Sequence, residues 1–128
     1  MFLSTFAAAT FLFAQSPDTA LAYAEALARA ERYDKDPAAE QYRTTILSPV
    51  FGKAMPAIFD ACAPGASPTG RPDFTVVLSF KAGRFEAVRH TSDHPTAQCV
   101  TERMSRIDWP KPPAPDFAEK INIRMGAQ

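Results

Sequence analysis

The sequence predicts an α+β domain: a small antiparallel three-stranded sheet packed on two helices, preceded by an N-terminal helix. Two patterns carry this reading. Phe74, Val76, Leu78 and Phe80 alternate with Thr75, Val77, Ser79 and Lys81, and Phe85 to Thr91 returns across Ala82-Gly83. Period-two alternation marks a strand with one apolar face, and a glycine-bearing turn between two such runs marks a hairpin. Ala97, Val100, Met104 and Ile107 instead recur at helical spacing, which gathers them on one side of a helix.

The elements follow in order. Met1 to Ala14 is apolar and carries no charged side chain. It has the length of a secretory h-region and is too short to span a bilayer. Cleavage fits after Ala14 or after Ala22; the alternative is a short buried helix in a cytosolic protein. Residues 1–15 are read as a signal peptide, 16–43 as a helical extension and 44–128 as the α+β domain. Ser16-Pro17-Asp18 opens the first helix, with Ser as cap, Pro at the first helical position and an acid in the first turn. Ala20 to Tyr33 supplies strong helix formers. Asp34 to Pro37 breaks it, and a short turn runs from Pro37 to Tyr42. Thr45 to Ala61 is the next helix, begun near Pro49 and kinked or broken near Pro56. Residues 63–72 read as a loop. Thr96 to Ile107 is a helix, and Trp109 with Pro110, Pro112 and Pro113 ends it. Phe117, Ile121, Ile123 and Met125 then alternate with Ala118, Lys120, Asn122 and Arg124 in a third strand, where Glu119 is an exception on the inner face.

Composition bounds the function. Formal net charge is zero across 128 residues, whereas a nucleic-acid partner calls for a basic excess. The two cysteines, Cys62 and Cys99, fit one disulfide in an exported chain. Closing that loop contributes about 3–4 kcal/mol in the chain-entropy account. The alternatives are two separate buried thiols, or a Cys2His2 zinc site with His90 and His94. His90, Asp93 and His94 form an H-x-x-D-H run whose residue types suit zinc or copper, set against a plain solvated loop. No nucleophile, phosphate-loop or zinc-protease motif is present, so no catalytic residue and no cofactor is expected. Asp108 and Asp116 flank the proline step and read as a capping acid and a turn acid, with paired carboxylates as the alternative. Trp109 is either a partner-binding aromatic or part of the core. The sheet face turned from the helices would carry Thr75, Val77, Ser79, Lys81, Arg84, Glu86, Val88 and His90 with Lys120, Asn122 and Arg124; this mildly basic face is a candidate contact for an acidic protein or cell-wall polymer, or an ordinary solvated face.

Several of these features together resemble the TonB C-terminal domain superfamily over Ile46 to Met125. They are Cys62 in the first helix region, the hairpin TVVLSFKAGRFEAV turning at Gly83, the Cys99-Val100 helix, and the Trp109–Pro113 step before the last strand. The likeness is closest to the shorter, cysteine-bearing exported relatives. It implies a binding fold whose exposed strand edge pairs with a partner's extended segment; energy transduction, which needs a membrane anchor and a long spacer, is not implied. Phe117 to Met125 is the expected edge, with Trp109, Lys120, Asn122 and Arg124 as partner-binding candidates. The expected setting is the periplasm, with no membrane span once the leader is gone. The expected partner is an envelope protein or cell-wall component. A metal-handling or hydrolytic protein built on His90, Asp93 and His94 is the alternative.

Overall fold

The computed structural model describes residues 17–63 and 71–125; the expected leader, the Ser16 cap and most of the expected loop lie outside them. Helix α1 (Pro17–Arg32) is followed by α2 (Pro37–Tyr42), a π-helical turn (Arg43–Leu47) and α3 (Ser48–Cys62). Strands β1 (Asp73–Lys81) and β2 (Arg84–His90), helix α4 (Pro95–Met104) and strand β3 (Ala118–Arg124) complete the order. The fold is α+β, as the alternating runs require.

Local chemistry explains most boundaries. Asp36 caps α2 by accepting the Ala39 N–H at 2.9 Å, with Pro37 behind it, where proline's missing donor does no harm. Helix α2 does not stop before α3. Pro49 has no N–H for the Thr45 carbonyl and its ring crowds that oxygen. The path widens by one residue there, and the Ser48 N–H reaches back to the Arg43 carbonyl, the five-residue step of a π turn. The helix also continues through Pro56 rather than breaking. Gly52, whose carbonyl loses its usual donor, sits on the exposed side. The boundary expected at residues 43 and 44 therefore falls inside one helical path, and Ala39 and Tyr42 from the expected extension lie in the main core.

The sheet is antiparallel in the order β2-β1-β3. Lys81 pairs with Arg84 across a two-residue turn in which Ala82 and Gly83 have φ of 54° and 78°. Two positive values make the twist of this turn match that of the strands. A bulge then changes the register: Phe80 pairs with Phe85, but Ser79 pairs with Ala87, leaving Glu86 as the extra residue. The bulge reverses the parity of the rest of β2. Val88 comes opposite Leu78 and His90 opposite Val76, so both join the helix-covered face instead of the opposite one.

That opposite face is not a plain solvated surface either. Ala26 and Ala30 of α1 pack on Val77 and Ala118, flanked by Tyr23 and Leu27. Val77 and Ser79 are both 0% exposed. Helices thus cover both sides of β1, and its unbroken Val76-Val77-Leu78 run suits a strand buried on two faces. On the other side, α3 and α4 enclose the main core around Leu78, Phe80, Val100, Met104, Phe117 and Ile123. Cys62 and Cys99 are disulfide-bonded, with Cα atoms 5.7 Å apart and a sequence separation of 37. The bond ties the end of α3 to α4.

Candidate functional site

Strand β3 pairs with β1 and with no other strand among the described residues, so it is an edge of the sheet. The Phe80 N–H donates to the Phe117 carbonyl at 2.9 Å. In an antiparallel pair, hydrogen-bonded and non-bonded positions alternate. That bond therefore sets the phase: the main-chain groups of Glu119, Ile121 and Ile123 point at β1, and those of Lys120, Asn122 and Arg124 point outward. Strand β2 is the other edge, but its bulge twists it, which discourages a further strand; helices pack on both strands, α4 on β2 and α1 on β3. Strand β3 runs without a bulge over its seven paired residues.

A groove of about 270 Å³ runs beside this edge. It is lined by Leu47, Ser48 and Phe51 from the helical path and by Ile121 from β3, together with Arg43, Glu119, Lys120 and Asn122. Arg43 builds its end. Its Nε donates to both Glu119 carboxylate oxygens at 2.8 Å, and its other nitrogens reach the Tyr33 carbonyl at 3.2 Å and Glu40 at 3.3 Å. Burial raises the Glu119 pKa; the Arg43 bond and charge oppose that, and the charges of Asp34 and Glu40 add to it. The net direction is up, because the side chain is only 12% exposed. An inward-facing Glu119 is thus satisfied by an arginine 76 residues away in sequence.

On the α1 side, Arg29 donates to the Phe80 carbonyl at 3.0 Å, the Asp116 carbonyl at 3.1 Å and Glu86 at 3.1 Å. The Phe117 N–H turns instead to the Ala114 carbonyl, so Arg29 supplies the donor that the end of the ladder lacks. The Ser79 hydroxyl donates to Glu86 at 3.0 Å and accepts from Arg89 at 2.9 Å. Burial pushes the Glu86 carboxyl up, but the Ser79 and Arg29 bonds with the Arg89 and Arg29 charges outweigh it and hold its pKa low. This cluster locks the bulge and α1 to the sheet.

The other predicted sites fare differently. Lys120, Asn122 and Arg124 all lie on the β3 edge and are exposed; Asn122 accepts the Thr75 hydroxyl at 2.9 Å. Trp109 is 8% exposed and its Nε1 donates to the Met104 carbonyl at 2.9 Å. It belongs to the core and offers little surface, and its one polar side-chain atom is already bonded there. His90, Asp93 and His94 are not brought together as ligands. His94 caps α4 by accepting the Thr96 N–H on Nδ1 at 3.0 Å. The His90 Nδ1 is buried without a hydrogen-bond partner. Burial lowers the imidazole pKa, against a weaker pull from the Ser92 backbone. No group of three or more His, Cys, Asp or Glu among the described residues is placed to hold a metal ion. With both sulfurs in the disulfide, the Cys2His2 alternative has no thiolates. Asp108 is exposed, and Asp116 accepts the Tyr33 hydroxyl and lies 3.8 Å from Arg32.

Arg43, Leu47 and Phe51 are the residues that sequence patterning missed. The one signal pointing to Arg43 was Glu119, whose place on an inner face calls for a cation. No helix among the described residues is long and apolar enough to cross a membrane. In comparisons with known proteins, no family model, no curated protein and no solved structure matches the chain.

Proposed function

We propose that the chain is an exported, periplasmic binding module that takes an extended segment of an envelope protein as a fourth strand along β3. The observation that carries this is the unpaired, unbulged β3 edge lying beside the Leu47–Phe51–Ile121 groove. An added strand would receive main-chain bonds from the outward groups of Lys120, Asn122 and Arg124, and every second side chain would enter the groove. Affinity then comes from backbone pairing and specificity from the groove-facing residues. The apolar leader and the disulfide support an oxidising compartment. The order of elements supports a relative of the TonB C-terminal domain superfamily.

The test is selection from a displayed library of peptides of about ten residues, long enough to cover β3. Amide exchange of the protein with each selected peptide then locates the binding. The reading expects new protection at the Lys120, Asn122 and Arg124 amides. Peptides that protect another surface, or a library that yields no binder, would sink it.

A further inference from the structure

An edge that accepts a foreign strand also accepts its own copy, unless its side chains forbid it. We infer that β3 pairs with β3 of a second copy in an antiparallel two-fold dimer, and that this dimer must open before a partner segment can bind. The inference rests on the strand-addition reading and adds the regulation of that site.

Charge decides the register. Centring the pair on Ile121 sets Ile121 against its twin, Lys120 against Asn122 and Ala118 against Arg124. No like charges are then directly opposed. Sliding one strand by two residues is the next shift that keeps both faces and hydrogen-bonding phase. In one direction it sets Lys120 against Lys120, and in the other Lys120 against Arg124; like charges in opposed positions are unfavourable.

The Ile121-centred register also brings opposite charges together. Glu31 and Asp34 line a cavity with Glu119 and Lys120 at the Ala118 end of the edge. Among the described residues, neither acid has an ion-pair partner, and neither has Arg124. Pairing Arg124 with Ala118 of the other copy places its guanidinium at that acidic corner, and the two-fold axis makes the contact twice. The groove residue Ile121, only partly buried in one copy, would be covered at the axis.

Sedimentation velocity of the disulfide-bonded chain recovered from cells tests this, at concentrations from about 1 μM to about 1 mM. A monomer–dimer equilibrium is expected. Arg124→Glu should weaken it about tenfold, since two symmetric contacts change sign. The pair Glu31→Arg with Asp34→Arg should weaken it similarly, and combining all three changes should restore it. All three positions are exposed, and circular dichroism checks each variant's fold. A monomer throughout, a dimer indifferent to the single-site changes, or failure of the charge swap to restore association would overturn the inference. The two readings fail separately. A monomer in which library peptides protect Lys120 and Asn122 keeps strand capture and removes the dimer. A dimer with protected β3 that no peptide opens removes capture and keeps the dimer.

Discussion

Arg43 joins three pieces of chain, bonding Tyr33 at the end of α1, Glu40 in α2 and Glu119 in β3. Arg43→Ala would leave the mostly buried Glu119 carboxylate unpaired, and a loss of about 2 kcal/mol is expected in urea denaturation, less than for a fully buried pair because both groups touch solvent. Replacing both partners by apolar residues, Arg43→Met with Glu119→Leu, should recover most of it. A loss under about 0.5 kcal/mol for Arg43→Ala would show that the pair is spectator charge. His90 gives a pH effect. Its folded pKa lies below the ordinary value of 6.5, so the unfolded chain takes up the proton first. The contribution to stability is present above about pH 6.5 and is lost as pH falls through that region. The urea midpoint should therefore drop more for the wild type than for His90→Leu between about pH 7.5 and about pH 5.5; equal drops would contradict the burial argument. At this scale the sequence was half legible. Glu119 stood out of pattern at once, but its arginine was not readable, because the partners meet only after α2 and β3 come together. Trp109 stayed ambiguous until its Nε1 found the Met104 carbonyl.

The hairpin and α4 were legible as elements because each carries an uninterrupted period and its own turn or cap chemistry. The bulge at Glu86 was not. It arises where Ser79, Glu86, Arg29 and Arg89 satisfy one another, and no short-range pattern signals that. It moved Val88 and His90 to the other face. The π turn was equally hidden: Pro49 read as a helix start, and α3 does begin there, but nothing showed that the path runs into it unbroken from α2, and Pro56 read as a kink or break inside a helix that continues through it. The hairpin turn between β1 and β2 carries strain at Ala82, a residue held at φ 54°. Left-handed backbone is unfavourable for alanine by about 1 kcal/mol relative to residues that tolerate it. Ala82→Asn gives the sequence Asn-Gly, which favours this turn. It should raise stability by about 0.5–1 kcal/mol, read as a higher denaturation midpoint at unchanged slope. A lower midpoint would mean that the left-handed pair is not the ground state of the turn.

Across the whole molecule, three layers form around β1, with α1 on one side and α3 and α4 on the other. The disulfide and the α+β class were readable from composition and period. The second covered face was not, although Val77 hinted at it, because Ala26 and Ala30 look like generic helix formers until the helix lies on the sheet. Covering both faces leaves the edges as the open backbone of the sheet, and β3 as the better of the two. That is the central claim, and amide exchange along β3, read residue by residue, tests it most directly. In dilute protein the Glu119, Ile121 and Ile123 amides should be protected while those of Lys120, Asn122 and Arg124 exchange quickly, and the alternation should vanish when a strand pairs with the edge. Slow exchange at all six positions in the dilute monomer would mean that the edge is already closed, and a bound extended peptide that left the alternation unchanged would place its site elsewhere.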